Sequence, residues 1–219
     1  IENVASLPKL QRLRFTTSNP HDFGYDLVDA YRRQPKLGQY LHLPVQSGSD
    51  SILETMKRKV TAAEYFEKVR WLREGNPTFA LSTDLIVGFP GETEEQFQET
   101  RRFMEEMNFD NAYIFKYSTR PGTPAAELED DVSEEETIRR HPILLDDQNE
   151  RGQRINEKLI GSSVEVLVEG VSKRNSDKWS GRTRTNKIVV FDATGNLEIG
   201  DVVTVKISSA KPQTIYGEI

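Results

Sequence analysis

Residues 79–97 read FALSTDLIVGFPGETEEQF. Phe79–Val87 is rich in β-forming residues and places Ser82 and Asp84 two apart, as a strand with one polar face does. Gly88-Phe89-Pro90-Gly91 punctuates it. Thr93-Glu94-Glu95-Gln96 is a capping-box signature that opens an amphipathic helix predicted to run to Met107. Strand, tight loop and helix in immediate succession are the first two-thirds of a βαβ unit.

The same order recurs on either side. Upstream, Arg12–Ser18 alternates like a strand and is broken by Asn19-Pro20. Asp22–Arg33 is helical, with Phe23, Leu27, Val28 and Tyr31 on one face. Tyr40–Gln46 is the next strand, Asp50–Arg58 a short helix, and Thr61–Glu64 a second capping box whose helix ends at Gly75. Downstream, Asn111–Tyr117 is a strand. A βαβαβαβ order with short connections predicts parallel strands and right-handed crossovers. Parallel strands covered on both faces are almost continuously apolar. These instead repeat polar groups on one face: Arg14, Thr16 and Ser18; then His42 and Gln46; then Ser82 and Asp84. That pattern predicts an α/β fold of partial (β/α) barrel type whose lumen or upper rim holds a polar ligand; a flat doubly wound sheet is the alternative. Four strands cannot close a barrel, so the chain reads as a fragment, and its exposed N-terminal edge predicts aggregation or strand exchange.

Residues 127–136 hold acids at 127, 129, 130, 131, 134, 135 and 136, the pattern of a solvated loop and helix start. Ser133–Glu136 is a third capping box, followed by a polar connector to Glu157 with an expected interruption near Pro142. From residue 158 the texture changes to short alternating strands separated by Gly, Asn and Asp. Five strands in so short a span predict a small antiparallel, OB-like β-barrel. The expected division is therefore 1–157 and 158–219.

The 219 residues carry 29 Lys and Arg against 35 Asp and Glu, a net charge of −6. The distribution is uneven. Residues 158–219 hold 9 basic and 7 acidic side chains, and residues 170–190 hold six basic against Asp177 alone. Such asymmetry points to a polyanion site in the C-terminal part. There are no cysteines, which excludes disulfides, thiolate nucleophiles and cysteine-ligated metal centres within these residues. No apolar run is long enough to span a membrane, and IENVASLPKL lacks the basic and apolar regions of a signal peptide. A cytoplasmic protein without membrane contact is expected.

Ligands of parallel α/β folds bind at the C-terminal strand ends. The loops there are residues 17–20, 46–49, 88–92 and 118–123, all rich in Gly, Ser and Thr. Asp84, a carboxylate within an apolar strand, needs a partner or a ligand; Arg14 and His42 are candidates for pairing. Arg120 follows a strand end and could hold a carboxylate or phosphate. In the C-terminal part, Lys173, Arg174, Lys178, Arg182, Arg184 and Lys187 surround Trp179, a composition suited to looped or single-stranded RNA.

The strings LHLPVQSGSDSILETMKR, STDLIVGFPGETEEQF and FKYSTRPGTPAAEL resemble the radical S-adenosylmethionine (SAM) methylthiotransferases, and SGRTRTNKIVVF resembles their TRAM domain. The tRNA-modifying MiaB branch fits better than the ribosomal-protein RimO branch. The resemblance implies a radical SAM partial barrel followed by TRAM. It also implies SAM as cofactor, two [4Fe–4S] clusters ligated outside this chain, and methylthiolation of C2 of N6-isopentenyladenosine at position 37 of tRNA. An electron donor such as flavodoxin or ferredoxin would be a further partner. Carried onto this sequence, it places Ser18, Gln46, Ser47, Ile86, Val87, Gly88, Phe115 and Tyr117 around SAM. Asp84 and Arg120 become active-site groups, and Lys173, Arg174, Arg182, Arg184 and Lys187 become tRNA contacts. It assigns no metal ligand here, because the family's CxxxCxxC loop is absent, and this chain alone is expected to be inactive. A non-catalytic RNA-binding protein is the remaining alternative.

Overall fold

The structure is a computed structural model that describes residues 1–15, 19–192 and 197–219. It has two compact units: residues 1–37 with 41–148, and residues 38–40 with 149–219. The division falls inside one long helix.

In the first unit, α1 (Glu2–Ala5) and α2 (Tyr25–Arg33) precede β1 (Tyr40–His42); then come α3 (Asp50–Thr55), α4 (Ala62–Glu74), β2 (Ala80–Val87), α5 (Glu94–Met107) and β3 (Asn111–Lys116). The strands form a sheet of order β1-β2-β3, and β2 pairs with β3 in parallel. The first two predicted capping boxes, Thr61/Glu64 and Thr93/Gln96, are formed in full. The strand predicted at Arg12–Ser18 is reduced to one parallel bridge, Leu13 to Leu37, and its last three residues lie outside the described ones. The strand predicted for Tyr40–Gln46 stops at His42, because Pro44 has no N–H for the ladder. Pairing resumes at Gln46, whose N–H donates to the Asp84 carbonyl at 2.9 Å and whose carbonyl accepts from Ile86 N–H at 2.9 Å.

The helices cover one side of the sheet. Leu81, Leu85 and Val87 of β2 share a continuous core with Val69 and Leu72 of α4 and Phe97, Phe103, Met104 and Met107 of α5. Tyr65, Phe103 and Phe109 meet at ring separations of 5.5–6.1 Å, and the buried Tyr65 hydroxyl donates to the Leu43 carbonyl at 2.8 Å.

Helix α6 (Glu134–Glu157) is continuous through Pro142, contrary to the expected interruption. A proline inside a helix costs about 3 kcal/mol, and a series of tertiary anchors offsets it. Arg140, buried, donates to the buried Glu92 carboxylate at 2.7 Å and to the Glu92 carbonyl at 2.8 Å. His141 bonds the Ile114 carbonyl at 3.0 Å, Leu144 is fully buried, and Arg101 grips Asp147 with two bonds of 2.7 and 2.9 Å. Of the third capping box only half forms: Glu136 N–H donates to Ser133 Oγ at 3.1 Å, while the Glu136 carboxylate is taken by Arg139 and Arg140.

The second unit contains the C-terminal end of α6 and five strands: β4 (Ser163–Ser172), β5 (Asn175–Thr183), β6 (Ile188–Asp192), β7 (Val202–Ala210) and β8 (Thr214–Glu218). They close into a barrel of order β4-β5-β6-β8-β7, the arrangement of an OB-like Greek key. One pair departs from the antiparallel expectation: β8 turns back from β7 to enter between β7 and β6, and so runs parallel to β6. Val166, Val168, Val189, Phe191, Val205, Ile207 and Ile215 fill the interior. Gly181 lets two strands approach there, since a Cβ at that position would lie 2.3 Å from the Leu167 carbonyl oxygen.

Two measurements test these anchors. Glu92→Ala removes the buried partner of the Arg140 guanidinium and leaves it the more exposed Glu136, so urea unfolding should show a loss of about 3 kcal/mol. The Glu136 carboxyl is held down to about 2 by its hydrogen bond from Arg139 and then by the charge of Arg140. A carboxylate whose folded pKa lies below its unfolded value of 4.5 stabilises the fold above that value and loses the contribution as pH falls toward 2. Urea midpoints taken between pH 5 and pH 2.5 should therefore fall less steeply in Glu136→Gln than in the parent.

Candidate functional site

Strand alternation sorts β2 into two faces. Leu81, Thr83, Leu85 and Val87 point to the helices, while Ser82, Asp84 and Ile86 point to the open side of the sheet. In β3 the aromatic residues Tyr113 and Phe115 are each about half accessible, and register sets Tyr113 beside Asp84 and Phe115 beside Ile86. His42 of β1 completes the row. Its Nδ1 lies 2.7 Å from Ser82 Oγ, its Nε2 lies 3.4 Å from Asp84 Oδ1, and its ring meets Tyr113 edge-on at 5.8 Å. Asp84 also faces the charge of Arg58, at the end of the segment after α3; burial pushes the Arg58 guanidinium pKa down and Asp84 opposes that. The open face thus carries a carboxylate between an imidazole and a guanidinium, next to two accessible aromatic rings.

The predicted residues fall into three groups around this face. Asp84, Ile86 and Phe115 lie on it together. Gln46 reaches the β2 edge with φ of 86°, a left-handed conformation that a residue with a Cβ adopts at a cost of about 1–3 kcal/mol, and its side chain is almost fully buried. Tyr117 N–H donates to the Val87 carbonyl at 2.8 Å, and its hydroxyl donates to the Ala125 carbonyl at 3.2 Å.

The second group turns away from the face. Val87 is in the helix-side core. Ser47 is fully buried; its Oγ meets Thr100 Oγ1 of α5 at 3.3 Å and accepts from Ser49 N–H at 3.1 Å. Gly88 N–H donates to Glu92 Oε2 at 2.9 Å, and with φ of 71° a Cβ there would sit 2.2 Å from Thr137 Oγ1. The Gly88–Glu92 loop is thus clamped from behind by α6. The third group lies apart: Arg120 is exposed in the loop after β3, and Ser18 lies outside the described residues. Sequence reasoning missed Tyr113, although its place two before Phe115 in NAYIFKY was a readable signal. Arg58 had no signal, because only the turn after α3 brings it to Asp84.

The second unit carries a cavity of about 790 Å³. Its floor is Ile188 and Val190 of β6 with Tyr216 of β8, all on the outer face of the barrel. Its rim carries Lys173, Arg174, Lys178, Arg182 and Lys211, with Glu169 as its one carboxylate among the lining residues. Lys178 pairs with Asp192 at 2.8 Å, and Arg182 with Glu169 at 3.3 Å. Lys211 Nζ stands 5.8 Å from the Tyr216 ring centre. The β7–β8 turn that presents Lys211 is fixed by Asn156, whose Nδ2 donates to the Lys211 and Pro212 carbonyls at 2.9 and 3.0 Å. Lys173, Arg174 and Arg182 therefore meet in one place, while Arg184 and Lys187 lie outside it on the β5–β6 turn. Lys211 and Tyr216 were not singled out from sequence, since they stand far from the basic run and only barrel closure brings them to it.

Residues 2–104 match the Radical SAM superfamily and residues 157–219 match the TRAM domain. Over all 219 residues the sequence is 48% identical to a tRNA-2-methylthio-N(6)-dimethylallyladenosine synthase from Acetivibrio thermocellus. Along its whole length the chain is similar to the radical SAM methylthiotransferases. Proteins of the same name from Hahella chejuensis, 48% identical over 218 residues, and Coxiella burnetii, 46% identical over 219, are similar along the whole chain. The chain spans about half the length of these relatives, at 45%, 49% and 50%. The fold is shared with Escherichia coli coproporphyrinogen III oxidase (HemN), a radical SAM enzyme, with a TM-score of 0.54 and 16% identity over 79% of this chain and 46% of that one.

Radical SAM proteins use SAM with an iron–sulfur cluster. The open face of β1, β2 and β3 fits a charged nucleoside: aromatic rings lie beside ionic and hydroxyl groups in register. The donor set does not fit a cluster, since the chain holds no cysteine, and among the described residues no three His, Cys, Asp or Glu side chains gather as metal ligands. Among the described residues no helix is long and apolar enough to cross a membrane.

The conformation at Gln46 generates a stability test. Gln46→Gly should stay within about 1 kcal/mol of the parent in urea unfolding, because relief of the left-handed strain offsets the lost side chain. Gln46→Val, β-branched at the same φ, should lose about 2 kcal/mol or more.

Proposed function

We propose that this chain is the SAM-facing and RNA-facing part of a tRNA methylthiotransferase, acting on C2 of N6-isopentenyladenosine at position 37 of tRNA. The observation that carries the reading is the pairing of two chemistries in one chain: the Asp84–His42–Arg58 cluster beside Tyr113 and Phe115, and the cationic cavity of the small barrel. Bound SAM would supply the methyl group and, after reductive cleavage, a hydrogen-abstracting radical. Asp84 holds a cationic or hydroxyl group of the nucleoside, and His42 aims its carboxylate. Ile86 and Phe115 pack against a purine face and exclude water, while Arg120 stands at the rim for a carboxylate or phosphate. The clusters, two [4Fe–4S] by family likeness, are ligated by polypeptide outside these residues. The electron donor is a flavodoxin or ferredoxin, and the setting is cytoplasmic. A ribosomal-protein substrate is less well supported, because the cavity is cationic and partly floored by apolar side chains.

In the full-length protein, Asp84→Asn should lower methylthio-adenosine in tRNA by at least about tenfold, a change of about 1.4 kcal/mol, while circular dichroism shows the variant still folded. Full modification by that variant removes Asp84 from the mechanism. Lys173→Glu with Arg174→Glu should weaken tRNA binding and make the slope of log affinity against log salt shallower by about 0.7–0.9 for each phosphate that is no longer neutralised; an unchanged slope places the tRNA elsewhere.

A further inference from the structure

The cavity of the small barrel holds a feature that general attraction to phosphate does not explain. A surface built only to attract phosphate would carry no carboxylate, yet Glu169 lines the cavity among five cations. Its Oε2 lies 3.3 Å from Arg182 Nε, and Arg182 is itself steadied by donating to the Asn186 carbonyl at 3.1 Å. The carboxylate is thereby oriented, and an ionised carboxylate accepts about four hydrogen bonds. Ile188 and Val190, which also line the cavity, lie in register with Thr214 and Tyr216, and the Tyr216 ring stands beside the Lys211 ammonium. On OB-like barrels, the faces of the second and third strands and the turns joining strands one–two and four–five bind oligonucleotides. Here those elements are β5, β6, the Lys173–Arg174 turn and the Lys211–Gln213 turn, and all of them line the cavity.

We propose that this cavity receives one unpaired base of the RNA and selects a base that carries its exocyclic amine at purine C6 or pyrimidine C4, adenine or cytosine. The base stacks on Tyr216. Its amine donates to Glu169, the geometry by which carboxylates read amino groups on bases. The flanking phosphates lie on Lys173, Arg174 and Lys178. Uracil presents a carbonyl at the same position and meets the carboxylate acceptor to acceptor. Glu169 is thus a specificity element that lowers overall affinity for polyanions and raises discrimination. This rests on the RNA-binding reading above and deepens it.

The test is binding of the 219-residue chain to fluorescent hexanucleotides of A, C and U at fixed salt. A and C should bind about tenfold more tightly than U, the scale of one base contact of 1–3 kcal/mol. Glu169→Gln should bind U more tightly than the parent does and bring the ratio near one. Tyr216→Ala should weaken A and C by about fivefold or more and Tyr216→Phe should not, given stacking energies of about 1–3 kcal/mol per base; circular dichroism melts check that each variant is folded. Equal binding of the three oligomers by the parent, or an equal gain for all three in Glu169→Gln, overturns the base-reading proposal and leaves RNA binding standing. No binding of any oligomer or of tRNA overturns both.

Discussion

Strand β2 lies in the middle of the parallel sheet, so both its edges are bonded and its two faces must do opposite work. Thr83, Leu85 and Val87 are buried against the helices. With that face committed, the two-residue period leaves Ser82, Asp84 and Ile86 no direction but the open side. A slip of one residue would bury Asp84 among the core leucines, at a cost no partner there could meet. Core packing thus sets the register that displays the polar row, and the β3 register delivers Tyr113 and Phe115 beside it.

The loop after β2 is held to the same standard of order from behind. Glu92 joins Gly88 N–H to Arg140, and Thr137 packs where a Gly88 side chain would stand. An ion pair this deeply buried contributes little net stability compared with an apolar pair of the same shape, but losing one partner is severe. Its value here is positional. It anchors the N-terminal part of α6 against the Gly-rich turn, and with the Arg101–Asp147 clamp it lets the helix pass Pro142 unbroken.

The small barrel solves a different problem. A barrel of this size has no room for ligand inside, since Val166, Val189, Phe191 and Ile215 fill it. Its binding surface is therefore the outer face and the turns. There, cations of the rim are already partnered: Lys178 by Asp192 and Arg182 by Glu169. Such pairing reduces indiscriminate attraction to polyanions and keeps the side chains ordered for a ligand that can compete for them.

Much of this was legible in the sequence. The capping boxes at Thr61 and Thr93, the βα order and the change of texture near residue 158 are local signals, governed by hydrogen bonds and periodicities that span a few residues. Asp84 could be singled out because a carboxylate inside an apolar strand is costly anywhere. The sequence could not show that β8 would run parallel to β6, or that Ser47 and Gly88 would meet Thr100 and Thr137. Nor could it bring Arg58 to Asp84, or Tyr216 and Lys211 to Lys173. Those juxtapositions join residues many positions apart, and only closure of the sheet and barrel, driven by burial of their apolar faces, decides which distant side chains become neighbours.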